Sequence, residues 1–245
     1  MISINNISKS FSDRVILNNI SFTINKGEKI AIIGESGIGK SVLLKNIIGL
    51  LSPDEGNVII DGQDINEITF KKLQKVRSKF GMVFQFGALF DSMTVSENIG
   101  LALQKLTNCD RLEINDRILK SLSEVNMDGS EEKMPSELSG GMKKRVGIAR
   151  AIALKPEYIL YDEPTTGLDP IMTDSINRLI NKFHSKGMVT SVLVTHEMKT
   201  VRDVSDRVLM LYKGNIQFDG STEEFLSSTD PRVMAFLNGD STYKE

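Results

Sequence analysis

Apolar and polar positions recur along this chain with two different periods, and each change of period marks an element. Ile20, Phe22 and Ile24 alternate with polar neighbours, which predicts a strand with one buried face. Ile2 and Ile4, and then Val15 to Leu17, predict further short strands, so residues 1–30 read as strand-rich. Asn25-Lys26-Gly27-Glu28 predicts a turn into the unbroken apolar run Ile30 to Ile33. From Val42 to Ile48 the chain is apolar with Lys45 and Asn46 interleaved, which suits a helix closed by Gly49 and Ser52-Pro53-Asp54-Glu55-Gly56. Val58 to Ile60 predicts another strand, and Phe80 to Phe90 predicts a buried strand that breaks at a lone Gln85. Residues 94–153 read as mostly helical, opened by a Thr94/Glu97 capping box, with a loop from Pro135 to Gly141 feeding one helix that runs from Met142 to Leu154. Tyr158 to Tyr161 and Thr190 to Thr195 read as buried strands, with a helical pattern from Ile171 to Phe183 between them. Val208 to Tyr212 and Ile216 to Phe218 flank Lys213-Gly214-Asn215 as a hairpin, and Ser221 with Glu224 forms a second capping box.

Strands that alternate with helices and end at polar residues predict an α/β sheet, with ligands at the carboxyl ends of the strands. The strand-rich start and the helical middle are expected as subdomains appended to it. Lys71, Lys72, Lys75, Arg77 and Lys79 read most simply as a solvated helix face.

Composition narrows the partners. The chain has 245 residues, enough for one large α/β domain, and a formal net charge of −2. No basic excess argues for nucleic acid. Cys109 is the one cysteine, which fits a reducing compartment and is read as a bystander thiol. With no spanning apolar run and no secretory pattern at Met1 to Asn6, the chain is expected in the cytosol, reaching a membrane only through a partner.

The densest chemistry follows the Ile30–Ile33 run. Gly34-Glu35-Ser36-Gly37-Ile38-Gly39-Lys40-Ser41 fits the P-loop pattern G-x-x-x-x-G-K-[ST]. Its glycines admit the backbone angles that turn successive N–H groups inward around phosphate oxygens, and the following helix adds its positive end. Lys40 supplies charge for the β- and γ-phosphates and Ser41 a hydroxyl for Mg²⁺. A turn between strand and helix would explain the glycines but not Lys-Ser at this offset.

A bound ATP and its Mg²⁺ also need a carboxylate and a group to orient water. Asp162 ends an apolar strand, where a Walker B aspartate holds Mg²⁺, and Glu163 follows as the general base. The two adjacent acids would repel by roughly 4 kcal/mol at 4 Å and an effective dielectric of 20, which a dication relieves. His196 ends the next strand and is placed toward the γ-phosphate. Phe11, in the loop Ser8 to Asp13, is open to two readings, stacking on a base or packing in the core. His184 is assigned no role.

At this point the residues resemble a family. Leu138-Ser139-Gly140-Gly141-Met142 resembles the signature loop of ABC-type ATPases, and Tyr158 to Glu163 their Walker B strand. Gly167-Leu168-Asp169-Pro170 resembles the D-loop, His196 the switch histidine, Gln85 the Q-loop glutamine that helps hold the metal, and Phe11 the adenine-stacking aromatic. The resemblance covers residues 1 to about 225. It implies an ABC ATPase fold: a P-loop NTPase core sheet with an N-terminal antiparallel β subdomain and an inserted helical subdomain at about 86–156. The nucleotide-binding domain is expected over 1–228 and a C-terminal tail over 229–245. It also implies a head-to-tail dimer, in which Ser139 and Gly141 of one subunit meet the ATP held by the P-loop of the other.

Two positions depart from the commonest form: Met142 replaces Gln, and Phe11 replaces Tyr. With Met142, the stretch Phe84 to Asn98 and the tail Asp230 to Gly239 resemble the Mla/Mkl-type branch that traffics phospholipids and related hydrophobic substrates. That branch implies a homodimer beneath an integral-membrane permease, on the cytoplasmic face of the inner membrane, with a lipid-binding substrate-domain protein and a STAS-type regulator. Phe86 to Met93 is then a docking groove for a permease helix, or else core of the helical subdomain. The apolar stripe Val233, Phe236 and Leu237 packs on its own domain or reaches toward the partner ATPase. The alternatives are the ATPase of a small-solute importer, for example one for amino acids, and a soluble ABC ATPase acting on ribosomes or DNA.

Overall fold

A computed structural model of the chain describes residues 1–187 and 189–240. In order it forms β1 (Ile2–Phe11), β2 (Arg14–Ile24), β3 (Lys29–Ile33), α1 (Lys40–Ile47), β4 (Glu55–Ile60), β5 (Gln63–Asp64) and α2 (Phe70–Arg77). There follow β6 (Phe80–Val83), α3 (Val95–Leu106), α4 (Arg111–Glu124), α5 (Gly140–Ala153), β7 (Tyr158–Asp162) and α6 (Pro170–Gly187). The chain continues with β8 (Thr190–Val194), α7 (Met198–Val204), β9 (Arg207–Tyr212), β10 (Asn215–Ser221), α8 (Thr222–Leu226) and α9 (Pro231–Asn238). The contacts divide it into two compact units, one of Met1–Leu73 with Thr190–Glu245 and one of Gln74–Val189.

The first unit holds two kinds of sheet. β2, β1, β4 and β5 pair antiparallel in that order, and Ile2, Ile4, Ile7, Leu17, Ile20 and Ile24 bury one face. The alternation from Ile20 to Ile24 therefore has the predicted cause, a sheet wet on one side. β3 lies between β8 and β9, parallel to both, and β10 returns antiparallel along β9 as the predicted hairpin. Both faces of β3 are covered, so Ile30 to Ile33 show no alternation and are fully buried. Arg207 links the two sheets: its guanidinium donates to Thr23 O at 2.8 Å, Glu28 Oε1 at 2.9 Å and both carboxylate oxygens of Asp219. Asp230 caps α9, and Val233 is fully buried, so this part of the tail stripe packs on its own unit. The last five tail positions lie outside the described residues.

In the second unit β6 and β7 pair parallel, Val83 opposite Tyr161, and α3, α4 and α5 pack together. The helical expectation for 94–153 is corrected at 125–134, which forms no helix among the described residues, while the loop expected from Pro135 holds a 3-10 turn at Pro135–Glu137 and ends where α5 starts at Gly140. The capping box at Thr94 and Glu97 is present and starts α3. Asn98, fully buried one turn later, accepts from Phe90 N at 2.8 Å and donates to the carbonyls of Phe90, Met93 and Thr94. One side chain thus satisfies the backbone of a loop that has no ladder to join. Phe86 and Phe90 remain exposed, at 76% and 54%, so these two rings do not fill the core of their unit.

Candidate nucleotide site

The P-loop of the first unit begins where β3 ends. Gly34 has φ +146°, and a Cβ there would fall 2.6 Å from the carbonyl oxygen of Leu211 at the end of β9. Only a residue without a side chain passes this strand end. Gly39, at φ +113°, is the N-cap of α1, so the helix starts at Lys40 and its first N–H groups face the loop. Lys40 is 7% exposed, and its Nζ donates to Gly34 O at 2.8 Å and Glu35 O at 2.9 Å. The ammonium is held within the loop that carries it, while Glu35, Ser36 and Gly37 are exposed and Ile38 is half-buried. Ser41 stands in the first turn of α1.

Parallel pairing decides what stands beside this loop. Ile32 is registered with Val194, and Thr195 N donates to Ile32 O at 3.3 Å. His196 therefore leaves β8 at the same carboxyl edge from which Gly34 leaves β3, and it is exposed. Phe11, at the end of β1, is 47% exposed with Lys9 Nζ 5.7 Å from its ring centre, which removes the core-packing reading.

The second unit carries the acidic candidates. β6 and β7 end together, so Gln85 and the Asp162-Glu163 pair emerge from one parallel edge. Tyr161, fully buried just before Asp162, has its phenol pushed well up by burial and stays neutral. Glu163 adopts φ +50°, a left-handed conformation that a side chain rarely takes. Its carboxylate accepts from Thr166 Oγ1 at 2.7 Å, and its carbonyl accepts from Lys144 Nζ at 3.3 Å. Backbone strain at such a position persists where neighbours over-determine it.

The signature stretch lies at the start of α5. Leu138 is buried and anchors it, Ser139 is the N-cap and accepts from Met142 N, and Ser139 with Gly140 is exposed. Gly141 is buried, and a Cβ on it would collide with Cε of Met172 on α6. Asp169 accepts from Ile171 N and Met172 N, both at 2.9 Å, and so fixes the start of α6. Gln85 precedes a loop held by Arg150 of α5, whose guanidinium donates to Gly87 O at 2.8 Å and Ala88 O at 2.7 Å.

Sequence reasoning missed Lys144, Arg150, Thr166 and Asn98, which shape these loops. A signal existed for Lys144: it falls on the buried stripe of α5 with Gly141, Gly147 and Ile148, a face where lysine is out of place. Thr166 and Asn98 carry no such mark, because their partners lie in irregular backbone.

Among the described residues no group of three or more His, Cys, Asp or Glu side chains forms a metal cage. In the first unit the Ser41 hydroxyl, and in the second the Asp162 carboxylate and the Gln85 carboxamide, are hard oxygens of the kind that Mg²⁺ takes as ligands.

The family pattern described as "ABC transporter" matches residues 17–166. The chain is 42% identical over 238 residues to the "Probable ribonucleotide transport ATP-binding protein mkl" of Mycobacterium tuberculosis, covering 97% of this chain and 66% of that protein. It therefore spans just under two thirds of that relative's length. It is 39% identical over 241 residues to the "Intermembrane phospholipid transport system ATP-binding protein MlaF" of Haemophilus influenzae, covering 98% of this chain and 91% of the relative. Among solved structures, a dimeric ATP-binding cassette in a post-hydrolysis state, bound to ADP and phosphate, superposes with a TM-score of 0.83 at 33% identity, covering 90% of this chain and 98% of that one.

Proposed function

The chain belongs to the ABC transporter family, and from that premise we propose that it is the ATP-hydrolysing subunit of a membrane transporter that moves phospholipid. The observation that carries the ATPase reading is the β3–loop–α1 turn, with Lys40 Nζ held inside the glycine loop on the carbonyls of Gly34 and Glu35. A γ-phosphate offers that ammonium a stronger, charged acceptor than either carbonyl.

In this reading the P-loop, Gly34 to Ser41, cradles the phosphates, and Phe11 stacks on the adenine. Glu163 takes the proton of the attacking water, its carboxylate aimed by Thr166, and His196 contacts the γ-phosphate. Ser41, Asp162 and Gln85 hold Mg²⁺, which neutralises phosphate charge when bound. Leu138 to Met142 serve the ATP of a second copy, with Ser139 and Gly140 already exposed for that role. Asp169 sets the D-loop helix beside them.

No helix among the described residues is long and apolar enough to cross a membrane, and in this reading an integral-membrane permease provides the path. The exposed Phe86 and Phe90 are the surface proposed to meet it. In this reading the subunit sits on the cytoplasmic face of the inner membrane, and a lipid-binding protein and a STAS-type regulator complete the complex. Phospholipid is favoured over ribonucleotide as cargo because this chain matches the phospholipid-system relative over 91% of its length, against 66% for the other.

The test is to tag the chain in its native host, solubilise the membranes gently, and identify co-purifying proteins and lipids by mass spectrometry. A permease with a lipid-binding partner and enriched phospholipid is the expected result. A permease with a receptor for a soluble solute would overturn the cargo. The absence of any membrane partner would overturn the transporter reading.

A further inference from the structure

We propose that Lys144 is a positioning residue for the hydrolysis step, tying the signature helix to the backbone of the general base. The proposal rests on the ATPase reading above.

Lys144 is 4% exposed, one turn into α5. Lysine is almost never buried this far without specific acceptors for its ammonium. Here Nζ donates to Thr166 O at 2.7 Å and to Glu163 O at 3.3 Å. Those carbonyls are the two ends of the turn 163–166. The same turn carries Glu163 in its left-handed conformation and closes through the hydroxyl of Thr166 on the Glu163 carboxylate. The carboxylate is thus aimed by Thr166, and Thr166 is itself held by Lys144.

The other end of the connection is the signature loop. Lys144 lies five residues beyond Ser139, the N-cap of α5, on the helix that also carries buried Gly141. Met172 covers Gly141, and Arg145 Nη2 donates to Ser175 Oγ at 2.7 Å, so α5 and α6 are fastened on both sides of the turn. Anything that pulls on Ser139 and Gly140 is transmitted through the first turns of α5 to Lys144, and from Lys144 to the backbone of Glu163. An ATP contacted there by the signature loop belongs to the second copy, whereas Glu163 works on this chain's own ATP. Lys144 therefore provides a route by which occupancy of one site sets the geometry of the other.

The experiment compares wild type, Lys144→Met and Glu163→Gln in the full chain. Hydrogen–deuterium exchange of the free chain reads the amides of 165–169, and nucleotide binding is followed with a non-hydrolysable ATP analogue. Turnover is measured in the purified transporter complex. The expected result for Lys144→Met is faster exchange confined to 165–169, analogue affinity within twofold of wild type, and kcat at least tenfold lower. Unchanged exchange at 165–169, or kcat within twofold of wild type, would overturn the proposal. If Lys144→Met does not fold, Lys144→Gln makes the same comparison, its amide head being too short to reach Thr166 O. A wild type that hydrolyses no ATP would sink the ATPase reading instead, while the exchange result still judges the tie between Lys144 and the turn.

Discussion

Thr166 Oγ1 donates to Glu163 Oε2 at 2.7 Å, across a turn whose first residue has φ +50°. The carboxylate is therefore held in one orientation, whereas a free glutamate would sample several. Replacing Thr166 by Val keeps the shape and removes the donor. Turnover should fall by about tenfold to a hundredfold, as small misplacements of a catalytic group do, with ATP-analogue affinity unchanged. Steady-state kinetics beside equilibrium binding reads both.

Glu163→Gln keeps the volume and removes the base. Turnover should drop by at least about a hundredfold, the usual contribution of a positioned base, while ATP still binds and holds two copies together. Size-exclusion chromatography with ATP, paired with a phosphate-release assay, separates the outcomes. Turnover at the wild-type rate would reject Glu163 as the base.

Gly34→Ala places a methyl against the Leu211 carbonyl oxygen and asks alanine to hold φ +146°. The strain should cost about 1–3 kcal/mol, and relief by moving the loop would displace the carbonyls that hold Lys40. The expected result is a lower Tm together with lost ATP affinity. A variant with wild-type affinity would show that the loop tolerates a side chain at its first position.

In the loop that presents Phe86 and Phe90, Asn98→Ala removes the acceptor of Phe90 N and the side-chain donor to Met93 O, while Phe90 O and Thr94 O keep the backbone donors Met93 N and Asn98 N. Each buried group left without a partner costs about 1–3 kcal/mol, so chemical denaturation should show a loss of at least that size. Recovery of the permease in the tagged complex should fall with it, although Asn98 itself is buried.

Acid should weaken the first unit through Asp54. Its carboxylate is held below the ordinary range, first by Lys9 Nζ at 2.6 Å and then by Ser10 N at 2.7 Å. The folded pKa is the lower one, so the stabilisation is fully present above the unfolded value of about 3.9 and is lost as pH falls through the folded value. Asp54→Asn should flatten the stability–pH curve below about pH 4 and leave its slope near pH 7 unchanged. Denaturation midpoints across that range check it.

Much of the fold was legible in local pattern. Period-two alternation at Ile20 to Ile24 marked a half-buried strand, and the unbroken run at Ile30 to Ile33 a fully buried one. The capping boxes at Thr94 and Ser221 are both formed. These signals survive because they depend on near neighbours. The stretch 125–134 misled, because apolar Val125 and Met127 are buried there in irregular backbone, and burial alone imitates helix.

By itself the sequence determined the chemical parts: a glycine loop ending in Lys40-Ser41, an Asp162-Glu163 pair after an apolar strand, and Leu138 to Met142 opening a helix. Residue type and short spacing fix these, since a phosphate nest or a strand-end carboxylate is built from adjacent residues. Tertiary structure alone decided how the parts are held. Parallel register brought His196 beside the P-loop edge, a buried Lys144 gripped the turn of the base, and Arg150 fastened the loop after Gln85. Each of these joins groups at least 19 residues apart through long side chains or strand register. Neither composition nor periodicity encodes which distant carbonyl a lysine or arginine will reach.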